Sequence, residues 1–195
     1  MLLAIDTSAG TSVAVVEGAR TLAFASEPGT RHHAEAIGVL MQRALTEAGV
    51  SPDQITGVVA GMGPGPFTGL RVGIAAARAF AFGIGVPVHP IVSHDAVAYG
   101  HDGRVLVVTD ARRKEVAWSL YQDGLVLDGP HLVARDGFGA IESLHPGVPI
   151  LNPAEVSAAS LGLVAELLLA AGGALGPAEP LYLRAPDVTM PVVKK

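Results

Sequence analysis

Apolar residues fall along this chain in two alternating rhythms. It opens with the short apolar runs LLAIDT, SVAVVE and RTLAFAS, parted by Ala9-Gly10 and Gly18-Ala19, which predict a meander of three strands. From His33 to Ala48 the spacing changes: Ile37, Leu40, Met41, Ala44, Leu45 and Ala48 recur at helical intervals, and Gly49 follows as a C-terminal cap. ITGVVAG then predicts a buried strand, GLRVGIAAARAFAFG a second helix, and VPVHPIV another strand bounded by prolines. A second half starts near His101-Asp102-Gly103, where RVLVVTDAR and EVAWSLYQ predict strands joined by the charged turn Arg112-Arg113-Lys114, with LVLDGPHLV as a third. Helices are predicted over residues 136–144 and 157–171, the latter ended by Gly172-Gly173. The tail after Tyr182-Leu183-Arg184 carries two prolines and two terminal lysines and is expected to be loosely held.

Three strands, helix, strand, helix, strand is the element order of one lobe of the actin and sugar-kinase architecture, although periodicity alone leaves other α/β folds open. Residues 1–100 are read as a first lobe and residues 101–195 as a second, smaller and degenerate one. Each half opens with a strand that ends in aspartate, Asp6 and Asp110, as a duplicated lobe would.

Composition narrows the function. At 195 residues and 50% hydrophobic content the chain can fill a sizeable core. Without cysteine it has no disulfide, thiolate metal site or cysteine nucleophile, in keeping with a reducing compartment. The apolar stretches near Ile74 and Leu161 are interrupted by Arg78 and Glu166, short of the roughly 20 residues of a membrane span. MLLAIDTS lacks a basic leader, so the expectation is a cytoplasmic protein away from membranes. A formal net charge of -5 argues against gripping a nucleic-acid backbone unaided.

The stretch GMGPGPFTGLRVG, residues 61–73, has the composition of a phosphate cradle but not its chemistry. A Walker loop needs lysine after its last glycine, and here Gly69 precedes Leu70-Arg71; a dinucleotide fingerprint would need glycine near Thr68. Pro64 and Pro66 remove two amide donors. The better reading is a turn that launches the second helix, with Thr68 as its cap.

With LLAIDTS at the start, DARRKEV at 110–116 and PLYLR at 180–184, this stretch resembles the TsaB (YeaZ) family, bacterial subunits of the machinery that makes N6-threonylcarbamoyladenosine beside the anticodon of tRNA. Four motifs in the family's order, from residue 2 to residue 184, cover nearly the whole chain. The resemblance implies a two-lobed actin-like fold of the ASKHA, ribonuclease H-like class, each lobe a mixed sheet with packed helices. It also implies a noncatalytic scaffold role beside the larger homologous subunit TsaD, which performs the transfer, and the small ATPase TsaE. tRNA would be met indirectly, through the complex; a homodimer in isolation stays open. The alternative is an independent actin-fold enzyme, a small ATP-dependent kinase or a metal-dependent peptidase.

The residues speak against that alternative. The catalytic relatives hold a metal through H-x-x-x-H, but in VPVHPIVSH the first ligand position is Pro90 and the second His94, while His89 and His94 are not spaced to converge. His32-His33, adjacent on a helix, is a poor chelate, and Ser93-His94-Asp95 is too local for a triad. No catalytic or metal-binding residue is assigned. Asp6, Thr7, Ser8 and Gly10 preserve a first phosphate loop of the actin type, whereas Asp110-Ala111-Arg112-Arg113-Lys114 lacks the glycines and hydroxyl of the second. Half a site allows weak nucleotide binding and requires no cofactor.

Drawn at 100° per residue, the second helix puts Gly73, Ala76 and Phe80 on one side and Arg71, Ile74, Ala75, Arg78 and Phe82 on the other, both largely apolar. The first helix adds a mixed face with Glu35, Val39 and Gln42. Burial by the chain's own second lobe and burial by a partner fit this pattern equally. The resemblance favours the partner, since TsaB and TsaD associate through these helices.

Overall fold

Strand β1 (Leu2–Asp6) is the axis of the fold, and all five of its residues are buried. Such a strand is covered on both faces, which is why LLAID shows no alternation of apolar and polar positions. In the computed structural model, which describes residues 1–27, 29 and 32–184, β1 lies between β2 (Thr11–Glu17), antiparallel, and β4 (Gly57–Gly61), parallel. With β3 (Arg20–Glu27) and β5 (Val88–Ile91) they form a five-stranded sheet ordered β3-β2-β1-β4-β5.

Side-chain parity sorts the two faces. Leu3, Ile5, Val13, Val15, Val58 and Ala60 point to α1 (His33–Ala48) and α2 (Phe67–Ile84). Leu2, Ala4, Ala14, Val16 and Val59 point the other way, onto Leu161 and Ala165 of α5 (Ala158–Ala170).

The second sheet, ordered β8-β7-β6-β9, is built from β6 (Arg104–Arg112), β7 (Glu115–Gln122), β8 (Leu125–Ala134) and the two-residue β9 (Ile150–Leu151). Leu106, Val108, Val116, Trp118 and Leu120 form its core with Phe138 and Ile141 of α4 (Phe138–Leu144). Its other face, with Val105, Val107 and Tyr121, meets Ala98 of α3 (Ser93–Ala98). The molecule is thus two-lobed, with mixed sheets and packed helices.

Three expectations change. The sheets part between β5 and β6, but the chain crosses back: α5, placed by the sequence reading in the second lobe of residues 101–195, packs on the first sheet. α2 starts at Phe67 with Pro66 as N-cap, so Thr68 sits inside the first turn and does not cap it. Ile74, assigned to the outer face, is 4% exposed and belongs to the core. The ridge on the sheet is Leu70, Ile74, Ala77 and Ala81, and Ala76 and Phe80 sit at its margin. At 18 residues α2 is also long and apolar enough to cross a membrane despite Arg78; here that composition serves a core helix.

Candidate functional site

The glycines at 61, 65, 69 and 73 recur every four residues, and each lies against the loop that leaves β1. A Cβ on Gly61 would collide with the Asp6 carboxylate and one on Gly73 with the Thr7 hydroxyl. One on Gly65 would come within 2.7 Å of the Ser8 carbonyl oxygen, and one on Gly69 within 2.7 Å of that of Thr7. The glycine-rich stretch is therefore a close-packing surface for Asp6-Thr7-Ser8, and the two motifs form one unit.

Thr7 seals it. Its hydroxyl donates to the Gly69 carbonyl at 2.7 Å and accepts from the Gly73 amide at 3.1 Å, the two groups that an α-helix joins directly. Asp6 is buried and fully engaged: Oδ1 accepts from the Ser8 amide (2.8 Å) and hydroxyl (2.6 Å), and Oδ2 from the Ser93 hydroxyl (2.6 Å). Burial raises its pKa against the opposing pull of these hydrogen bonds. The side chains of Asp6, Thr7 and Ser8, the stretch read from the sequence as a first phosphate loop, thus point inward, and Gly10 lies under Glu155.

Ser93, His94 and Asp95, which read as a triad on paper, act instead as three pins at the start of α3. Ser93 holds Asp6 of the first lobe. His94, wholly buried, has Nδ1 at 2.8 Å from the Ser119 hydroxyl and Nε2 at 2.9 Å from that of Thr109, both in the second sheet. Asp95 accepts from the Tyr121 hydroxyl at 2.7 Å. Desolvation pulls His94 down to about 3, so its imidazole is neutral, and pushes Asp95 and Tyr121 up. With Pro90 in the place of one ligand and both nitrogens of His94 engaged, the metal of the catalytic relatives does not fit these residues. Among the described residues no three His, Asp or Glu side chains are grouped to hold an ion. His89 is half-buried against Gly57. His32 is the exposed N-cap of α1, and His33 is buried with Nδ1 at 2.7 Å from the Thr11 hydroxyl.

In the second lobe the corresponding loop is a two-residue hairpin turn. Arg112, Arg113 and Lys114 adopt φ of 66°, 52° and 61°, a left-handed backbone usually left to glycine or asparagine. Asp110 is taken up by Arg135 at 2.6 Å and Arg112 at 3.7 Å, beside a small cleft of about 280 Å³ that reaches Ser8 and Asn152. A larger cleft of about 790 Å³ opens between the hairpin and the first turns of α1 and α2.

Of the residues assigned to an interface, Glu35, Val39, Gln42, Arg71, Ala75, Arg78 and Phe82 are exposed. Val39 is 65% and Phe82 90% accessible. Sequence reading missed the strap over the flank of α2. Arg78 donates to the Ala178 carbonyl, Arg71 donates to the Tyr182 hydroxyl and stacks on Phe67 at 3.7 Å, and the Leu181 amide donates to the Met62 carbonyl. The four-residue glycine period was visible and could have revealed the docking of the β1 loop; no sequence signal marks the strap. The tail expected to be loose, after Arg184, lies outside the described residues.

The family described as "TsaD: tRNA N6-adenosine threonylcarbamoyltransferase" matches residues 24–149. An uncharacterised protein of Mycobacterium tuberculosis is 37% identical, over 95% of this chain and 92% of its own length. The tRNA threonylcarbamoyladenosine biosynthesis protein TsaB of Escherichia coli is 35% identical over 62% of this chain and 54% of its own. Among solved structures, YeaZ from Pseudomonas aeruginosa superposes with a TM-score of 0.76 at 29% identity, covering 93% of this chain and 99% of that one.

Proposed function

The chain belongs to the TsaB (YeaZ) family, within the wider family of tRNA N6-adenosine threonylcarbamoyltransferases, and has a role in the threonylcarbamoyladenosine modification of tRNA; from that premise we propose that it serves as a noncatalytic scaffold for the catalytic subunit, TsaD. The observation that carries this reading is the outer face of α1 and α2. Phe82 and Ala75 are exposed on α2 and Val39 on α1, each on a helix whose opposite side is committed to the core. Single exposed apolar residues need no explanation, but Phe82 is 90% accessible on a helix that already buries its other side, and it is the side chain a docking partner would cover.

In this reading TsaE joins the pair, tRNA is met through the complex, and the chain acts in the cytoplasm without a cofactor of its own. Any nucleotide is held weakly, because the groups of its one phosphate loop are turned inward. Support comes from the donor sets as well: Asp6, Thr7, Ser8 and His94 are all committed to holding the fold.

The test is reconstitution of tRNA modification with TsaD, TsaE and a threonylcarbamoyl-adenylate supply, with and without this chain. It is paired with Ala75→Glu and Ala75→Lys, which place either sign of charge on the exposed side of α2 one heptad from Phe82. An unpaired buried charge costs several kcal/mol, and half of that weakens association by at least about tenfold. Both variants should fold, lose TsaD binding and fail to support modification. Normal TsaD binding by both would move the partner elsewhere, and modification at full rate without the chain would end the scaffold reading.

A further inference from the structure

The cleft between the β6–β7 hairpin and the first turns of α1 and α2 shares only Glu35 with the residues assigned to the docking face, and it has the makings of a ligand site of its own. Its volume of about 790 Å³ lies within the range of small-molecule pockets. Phe67 and Tyr182 form one wall with ring centroids 4.6 Å apart. Arg112 and Arg113 face it from the hairpin, and Arg184, paired with Glu115, closes one end. Among the described residues three arginines line this cleft, Arg112 beside Asp110, Arg184 paired with Glu115, and Arg113, with Glu35 the one acid of the described lining. A guanidinium carries five N–H donors, so an existing partner does not exhaust it.

Two further observations agree. The long helices α1 and α2 both begin at the cleft, and among the described residues neither has a side-chain cap at its N-terminus. Their first turns thus add positive potential to that of the arginines. His33, on the wall opposite the hairpin, is held below its ordinary pKa by burial and, second, by the charge of Arg112, which is felt across the cleft.

We propose that this cleft binds a small organic anion, a phosphate or carboxylate on an aromatic body, with the ring against Phe67 and Tyr182 and the charge on Arg112 and Arg113. The side chains also give the hairpin residues a reason to be there. Glycine or asparagine would make the left-handed turn at lower cost, so arginine at 112 and 113 is explained by what its guanidinium does.

The full chain alone is titrated calorimetrically with phenyl phosphate, inorganic phosphate and phenol, and thermal melting is followed in parallel. Phenyl phosphate should saturate one site with a Kd below about 1 mM, some tenfold tighter than inorganic phosphate, while phenol shows no saturation. The double variant Arg112→Asn/Arg113→Asn keeps a residue that accepts the left-handed turn and should bind phenyl phosphate at least about tenfold more weakly with its melting intact. Phe67→Ala should bring phenyl phosphate down to the affinity of inorganic phosphate. Absence of saturation up to about 10 mM, or unchanged binding in the double variant, would overturn the proposal. Neither result bears on TsaD binding, which is read in a separate experiment.

Discussion

Thr7 is a polar residue that works through packing, its hydroxyl inserted between a carbonyl and an amide of α2 and reaching them only because residues 69 and 73 have no side chain. This gives glycines of one helix opposite values. Gly69→Ala brings a Cβ within 2.7 Å of the Thr7 carbonyl and should lower stability by at least about 1 kcal/mol. Gly83→Ala in the same helix meets nothing within 4 Å and should raise stability by about 0.5 kcal/mol through helix propensity. Chemical denaturation of the two variants checks both signs. His94 supplies the second test at this scale. Its folded-state pKa of about 3 lies below the unfolded 6.5, so its contribution is fully present above 6.5 and drains away as pH falls toward 3. The loss accrues at about 1.4 kcal/mol per pH unit. Asp6 and Asp95 act in the opposite sense: burial raises them above 3.8, so their contribution is complete below 3.8 and lost as pH rises through their folded values. Comparing wild type with His94→Gln isolates the histidine. The stability advantage of wild type should shrink steadily from pH 6.5 to pH 4, and a constant gap would mean that the imidazole protonates freely in the fold. None of this was legible in Ser93-His94-Asp95 alone, because three adjacent residues reach groups 87, 25, 15 and 26 positions away.

Elements were the most legible level. The order of strands and long helices in the first lobe, the β6–β7–β8 run and the αL cap at Gly49 all follow from apolar spacing and turn residues. β9 was not, since two residues carry no periodicity, and α3 is too short at six residues to show a face. α2 was read as a helix but with its faces misdrawn. Nearly all of its 18 residues are glycine, alanine or larger apolar side chains, so a wheel gives two apolar sides, and only the sheet decides which ridge is inside. The decision is testable by contrast. Ile74→Ala removes a core side chain and should cost about 2 to 5 kcal/mol. Phe82→Ser, at a 90% exposed position, should leave stability within about 0.5 kcal/mol while weakening association with TsaD. Equal destabilisation by the two would mean that α2 is buried on both sides within the monomer.

At the scale of the whole molecule, the halves seen in the sequence are not separate folding units, because the chain crosses between the sheets and then returns. α5 comes from the second half, yet Leu161 and Ala165 are buried on Leu2, Ala4, Ala14, Val16 and Val59 of the first sheet. Ser12 ties that return by donating to the Val156 carbonyl at 2.6 Å and accepting from the Ala158 amide at 3.0 Å. Periodicity could show that residues 157–171 are helical, but not which sheet they cover, because α5 is apolar nearly all round and matches either. The pins of α3 run the other way, from the first half into the second sheet. A fragment of residues 1–100 would therefore leave one whole face of β1, β2 and β4 in water and the ring nitrogens of His94 without their partners. Fully burying a side chain such as Leu161 contributes about 1.5 to 3 kcal/mol, and a domain's whole margin is about 5 to 15 kcal/mol, so loss of α5 removes much of the stability. The fragment should show no cooperative melt, whereas the intact chain should unfold in one transition with matching calorimetric and van't Hoff enthalpies. Co-expression with residues 101–184 should restore the cooperative transition, since the missing cover is then supplied in trans. A fragment of residues 1–100 that melts cooperatively by itself would show the first lobe to be autonomous and α5 to be an addition to a finished sheet.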